Sequence, residues 1–241
     1  PVPWRNLLAH DRFRTLADTN GLGPSAAREV VSAGESAYIF DGTGVFSATP
    51  APAGAHLSWD VRHGPQVSTW HTATSRLDAT FTAAPLLRHP CGLRTLHLKN
   101  LSPDPVTVTL LITADFTTST PDVHLTPFPH AVIAHTPEET HLRFVALAEG
   151  EGETFTTLPV LLARLSGQPD IRDEHLACRG SVAAIRLTRE LLPGRSETVS
   201  WLMGSAMVAD DVEWLLRSIR QTGVSAQLRM LKRQWVRRIS G

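Results

Sequence analysis

The stretch LRTLHLKNLSPDPVTVTLLITADF (93–116) decides the fold class. Its first part, LRTLHLKNL (93–101), alternates apolar and polar residues, the period of a strand with one buried face. NLSPDP (100–105) then gathers the residues that turn a chain. PVTVTLLITADF (105–116) resumes with valine and threonine, whose branched side chains suit a pleated surface. Working outward, the same alternation recurs in HLSWDV (56–61), QVSTWHT (66–72), RLDATFT (76–82) and HLRFVAL (141–147). PVLLARL (159–165), VAAIRLTREL (182–191) and ETVSWLMGSA (197–206) add three further strands. DGTG (41–44), RHGP (62–65) and LLPGR (191–195) supply turns, and AEGEGE (148–153) reads as an exposed loop. Roughly ten to fifteen strands at this spacing predict a mainly β protein, an antiparallel sandwich or barrel rather than a parallel sheet.

The last thirty or so residues change period. In ADDVEWLLRSIRQTG, Asp210 or Asp211 can cap a helix that places Val212, Leu215, Leu216 and Ile219 on one face and ends at Gly223. A second helix, VSAQLRMLKRQWVRRIS, aligns Leu228, Leu231, Trp235 and Ile239. It carries Arg229, Lys232, Arg233, Arg237 and Arg238 without an acid. The plainest reading is an amphipathic helix packed on a neighbouring domain with a solvated basic face. The organisation is thus a β body over 1–207 and a helical linker over 208–241.

Composition narrows the function. Of 241 residues, 23 are basic and 23 acidic, so the net charge is zero and a phosphate-binding nucleic-acid partner is not expected. Hydrophobic residues at 42% and charged residues at 19% describe a globular chain. No apolar run reaches the ~18 residues that cross a bilayer, and no membrane partner is expected. Cys91 and Cys178 lie far apart, outside any paired spacing, and PVPWRNLLAHDRF lacks the character of a secretory signal. The expectation is a cytoplasmic protein with reduced thiols. Beginning with proline rather than methionine, it reads as a processed or excised piece.

Chemistry-bearing patterns are sparse. His124, His130, His135 and His141 are spaced by 6, 5 and 6, which fits neither a helical metal pair nor a cysteine-assisted site, so no metal is expected. The sequence has no GxSxG elbow, and GTG (42–44) lies in a hairpin rather than before a helix, so no cofactor is expected either. Asp60, Asp78, Asp115 and Glu153 are carboxylates of the type glycoside chemistry needs, yet nothing in the sequence pairs them. Trp59 alternates with Leu57 and Val61 and reads as core. Trp70, between Ser68 and Thr72, is the better candidate for an exposed ring that stacks on a sugar, with Arg62 and His63 beside it.

The order of these pieces resembles a known family. PWRNLLAHDRFRTLADTNG (3–21), SAGESAYIFDGTGVFSATPAP (32–52), VRHGPQVSTWHTATSRLDATFTAAP (61–85) and LRTLHLKNLSPDPVTVTLLITADF (93–116) are similar, in that order, to the opening of glycoside hydrolase family 94, formerly glycosyltransferase family 36. The resemblance covers about residues 1–120 closely and continues by strand order to about 206. It implies a galactose-mutarotase-like β-supersandwich followed by two linker helices. In cellobiose phosphorylase-like and cyclic β-1,2-glucan synthase-like members, a catalytic (α/α)6 barrel comes next. The family's Tyr-Thr-Trp and Asn-Ser-Arg-Glu-Asn loop is reduced here to LGPSAAREVVSAGES (22–36), so no ligand contact is carried over from it.

The resemblance implies a non-catalytic module whose partners are a barrel in cis or in trans and a second copy of itself. A free-standing carbohydrate-binding domain using Trp70 with an oligosaccharide is the second reading. A mutarotase-like epimerase, needing a histidine acid and a carboxylate base on one concave face, is the third.

Overall fold

The computed structural model describes residues 5–10, 13–26, 30–32, 34–87, 89–117, 123–128, 130–150, 152–155, 178–179 and 182–240. Within them the strand 93–116 stretch forms β10 (Cys91–Asn100) and β11 (Val106–Asp115), which do not pair with each other. The connection instead carries the chain from one sheet to another. Asn100 pins it: its Nδ2 donates to Asp104 O (2.8 Å) and Leu191 O (2.7 Å), and its Oδ1 accepts from Ser102 N (2.7 Å).

Before this crossover lie β1 (Arg5–His10), β2 (Phe13–Asp18), β3 (Gly21–Ala26), β4 (Val30–Ser32), β5 (Gly34–Phe40), β6 (Val45–Ser47), β7 (Asp60–Gly64), β8 (Val67–Ala73) and β9 (Leu77–Pro85). After it come β12 (His124–Phe128), β13 (Ala131–His135), β14 (Leu142–Leu147), β15 (Glu153–Phe155), β16 (Cys178–Arg179), β17 (Val182–Leu191) and β18 (Ser196–Ala206). Among the described residues these make a nine-stranded antiparallel sheet, ordered β16-β12-β13-β14-β18-β10-β9-β8-β7. Opposite it stands a five-stranded sheet, β15-β17-β11-β5-β6, and β1 to β4 form a small third sheet.

Alternation directs one face of each large sheet inward. Phe81, Leu96, Val145, Val199 and Trp201 of the larger sheet meet Ile39, Leu110, Ile112 and Ile185 of the smaller one in a continuous core. Among the described residues two ion pairs cross this interface. Arg94 of β10 bonds Glu35 of β5 in the interior, and Arg189 of β17 bonds Glu197 of β18 at the rim (2.8 Å).

The larger sheet's outer face is split along its strands. On β10 the outward residues run Cys91, Leu93, Thr95, His97, Lys99, apolar at one end and polar at the other. The apolar end, with Phe144, Ala146 and Leu202, is covered by α1 (Ala209–Thr222) through Val212, Leu215, Leu216 and Ile219. These four are the residues that the helical spacing predicts. Gly223, at φ 76°, terminates α1 in a conformation other residues rarely adopt, and α2 (Val224–Ser240) follows. Leu231 of α2 is buried, and Leu228 packs against the same cluster; the side chains of Trp235, Arg237, Arg238 and Ile239 lie outside the described ones.

Three expectations need correction. Neither aspartate is the N-cap of α1: that position is Val208, and Asp211, one turn in, reaches back to accept from Met207 N (3.2 Å) and Val208 N (3.3 Å). HLSWDV is a strand only from Asp60, because residues 51–57 coil into turns closed by Gly54 N donating to Pro50 O (2.9 Å) and Leu57 N to Gly54 O (3.0 Å). LGPSAAREVVSAGES, read as a reduced loop, contributes β3, β4 and the start of β5. Pro24 fits in β3 because the register shifts between Thr15 and Ala17, leaving it no partner that needs an N–H. The strand expected at PVLLARL (159–165) lies outside the described residues.

Candidate functional site

The hairpin of β7 and β8 carries all three residues expected to meet sugar. Its register pairs Val61 with Trp70, Arg62 with Thr69 and His63 with Ser68. Partners across an antiparallel pair share a face, so Trp70 and His63 point inward and Arg62 points outward. Trp70 is 0% exposed. Its ring lies 5.5 Å from Phe81 and 6.0 Å from His63, and its Nε1 donates to Asp18 O (3.1 Å). Exposure of Trp70 is therefore overturned, and a ring with no open face offers no stacking platform. The polar neighbours that suggested exposure have internal partners. Thr72 Oγ1 donates to Ser58 O (2.8 Å), and Ser68 Oγ takes a bond from Asn6 Nδ2 (3.2 Å) and shares one with His63 Nδ1 (2.9 Å).

His63 thus helps anchor the amino-terminal strand, since Asn6 Nδ2 also donates to Gly64 O (3.0 Å). Burial lowers the His63 pKa below the usual histidine range, and the charge of Asp18 opposes that shift. Arg62 is exposed on the other side of the sheet, bonded to Asp60 through Nη2 (2.6 Å) and Nε (2.9 Å). No single surface unites the three.

What the sheet does assemble is a polar field on the rest of its outer face, buried at Thr95 and Ser200 beside the helix-covered end and exposed at Arg62 and His97. One cross-strand row reads Asp60, His71, Thr80, His97, Thr198, and the next Arg62, Thr69, Thr82, Thr95, Ser200. His71 Nε2 lies 3.1 Å from Asp78 Oδ2, and His97 Nδ1 lies 3.0 Å from Thr198 Oγ1. Imidazole, carboxylate and hydroxyl groups side by side can exchange hydrogen bonds with a polyol and pass a proton between His71 and Asp78. The outward rows contain no aromatic residue. The sequence signal for this field was the alternation of polar residues, Thr69 and His71 in β8 and Asp78, Thr80 and Thr82 in β9. Their pairing across strands is a matter of register, which no single strand discloses.

The other carboxylates are engaged separately: Asp115 accepts from Thr117 N (2.9 Å), and Glu153 pairs with Arg186. His124 and His135 stack across β12 and β13 with centroids 5.3 Å apart. Among the described residues no three His, Cys, Asp or Glu side chains converge on a point that could hold a metal ion. No helix among them is long and apolar enough to cross a membrane. Beside α1 an open groove of about 350 Å³ is lined by Phe128, Ile133 and Leu216 with His130, Glu213 and Arg217 at its polar edge.

A second surface belongs to the helices. Trp214 of α1 is 58% exposed, its ring in an edge-on pair with His89 at 5.6 Å between centroids, and Met207 and Val208 before the helix are exposed as well. Helix α2 exposes Met230 and Val236 among Arg229, Lys232 and Arg233.

Two opposed antiparallel sheets with helices on one outer face define a galactose-mutarotase-like supersandwich. Solved structures share that fold. A candidate aldose 1-epimerase from Escherichia coli K12 is 8% identical, with a TM-score of 0.53 over 86% of this chain and 100% of its own. A galactose mutarotase-like protein from Lactobacillus casei is 7% identical, with a TM-score of 0.53 over 84% of this chain and 100% of its own. A bacterial glucoamylase complexed with acarbose is 6% identical, with a TM-score of 0.66 over 91% of this chain and 34% of its own. A comparison with curated protein sequences returns no match. The model of the glycosyl hydrolase 94 supersandwich domain matches residues 1–142, and the chain belongs to that family. It is a module of a carbohydrate-active enzyme.

Proposed function

We propose that the chain is a non-catalytic module of a glycan phosphorylase-like or glucan synthase-like enzyme, supporting a catalytic helical barrel and forming oligomer contacts. The observation that carries this reading is the outward surface of the two helices. An exposed tryptophan on α1 and exposed methionine and valine on a basic α2 form the kind of surface that a partner covers. Family membership supplies the class of enzyme. The test is co-expression with the barrel domain of a family 94 phosphorylase on a separate polypeptide, followed by gel filtration. Co-elution is expected, and Trp214→Asp should weaken capture about tenfold or more. A chain that remains monomeric beside the barrel overturns the reading.

The polar field favours a second reading, in which the same module binds an oligosaccharide. Its rows of Thr, His and Asp match the donors and acceptors of sugar hydroxyls. Titration with β-linked gluco-oligosaccharides, followed by amide shifts at Thr80, Thr82 and His97, decides it. No shifts at millimolar sugar would dismiss this second reading.

A further inference from the structure

The inner face holds a polar site that the packing does not complete. Arg94 and Trp201 are direct register partners on β10 and β18, so both side chains project from neighbouring points of the larger sheet toward the smaller one. Glu35 comes down between them from β5, its Oε1 accepting from Arg94 Nε. Its other oxygen, Oε2, is buried and has no hydrogen-bond partner; neither has the buried Trp201 Nε1. Both side chains line the same small cavity, with Ser36, Thr49 and Phe81 among its walls. Its volume is about 10 Å³, the room that one water molecule needs.

A buried carboxylate oxygen and a buried indole N–H each lose several water contacts on folding, and leaving either unpaired is costly. Their chemistries are complementary, one accepting and the other donating. Phe81 stacks on the Trp201 ring at 5.5 Å and 16°, which fixes the direction of the indole N–H.

We propose that this cavity is a binding site for a single internal water molecule, which accepts from Trp201 Nε1 and donates to Glu35 Oε2. The water extends the Arg94–Glu35 contact into a chain that joins β10, β5 and β18 across the two sheets. Thr49, on the cavity wall, offers a hydroxyl oxygen for a further bond.

The test is magnetisation exchange between water and the indole protons of the intact chain. Trp201 should show a direct cross-peak with the sign of a water resident for longer than nanoseconds. Trp70, whose indole donates to Asp18 O, should show none and serves as the internal control. A Trp201 indole as silent as that of Trp70 overturns the proposal. A double-variant cycle reads the same link through stability. Because Trp201→Phe removes the donor at one end of the chain and Glu35→Leu the acceptor at the other, their shifts in urea midpoint should be non-additive, with the double variant little worse than the poorer single. Additive shifts overturn the link.

Discussion

Arg94 and Glu35 face each other in a region that solvates neither, so each is stable there only because the other is present. Burial raises the Glu35 pKa above the ordinary carboxylate range, and the charge and hydrogen bond of Arg94 pull it back down. Arg94→Met should therefore cost about 3–5 kcal/mol in urea unfolding, because it leaves a buried carboxyl without its counter-charge. Replacing both residues, Arg94→Met with Glu35→Leu, should recover most of that loss; a double variant as unstable as the single would refute the account. His63 gives the pH dependence. Its folded pKa lies below its unfolded value, so the unfolded chain takes up the proton more readily. The stability it contributes is present above the unfolded value near about 6.5 and is lost as pH falls through the folded one. Between pH 7.5 and 5.5 the urea midpoint should fall less steeply in His63→Gln than in the parent chain; parallel slopes would show that another group titrates. Trp70→Ala should cost about 3–5 kcal/mol and leave any sugar titration unchanged. Its burial was not legible locally, since Ser68 and Thr72 read as solvent-facing until Asn6, His63 and Ser58 are seen to satisfy them.

At the scale of elements, legibility followed how completely each one's own residues determine it. VAAIRLTREL (182–191) is β17 to the residue, because a branched, alternating run needs only a neighbour to become a strand. The apolar face of α1 was equally plain, since a period near 3.6 specifies its buried residues before any partner is known. HLSWDV failed for the opposite reason. Trp59 alternates like a strand residue, yet its Nε1 donates to Gly54 O (2.7 Å) and ties it to the preceding turns. β3 was hidden by Gly, Pro and Ala, whose weak strand preference is overridden by pairing with β2, and β4 by its length of three residues, held by pairing with β3. The start of α1 depends on a contact one turn away. Asp211 satisfies two backbone N–H groups from inside the helix, so Asp211→Ala should lower stability by about 0.5–1 kcal/mol while Asp210→Ala changes little. Thermal unfolding of the two variants side by side checks this, and equal losses would mean that the aspartates act only through their charge at the helix start.

For the molecule as a whole, the outer face of the larger sheet is the feature that links fold to function. A sheet with two covered faces would be apolar on both, and one with a free face would be polar along its full length. This sheet changes along each strand: Leu93 and Leu202 give way to Thr95 and Ser200, then to His97 and Thr198. The apolar end is the footprint of α1; Thr95 and Ser200 beside it are still buried, and exposure begins at His97 and Lys99. The inner side of α1 accordingly packs as part of the β body's own core. Ending the chain after Ala206 should expose Phe144, Leu202 and Ile133 together, a contiguous apolar patch on a flat sheet. Such a truncated chain should bind a hydrophobic dye and self-associate in gel filtration. Leu216→Ala in the full chain, by contrast, should cost about 2–5 kcal/mol and remain monodisperse. If the truncated chain were monomeric and as stable as the parent, the helices would be a mere tether, and their exposed Trp214 and Val236 would carry no argument for a partner. If it aggregates, α1 is a cover that the β body requires, its inner face set by the apolar end of the sheet, and the docking role proposed for its outer face rests on capture of the barrel alone.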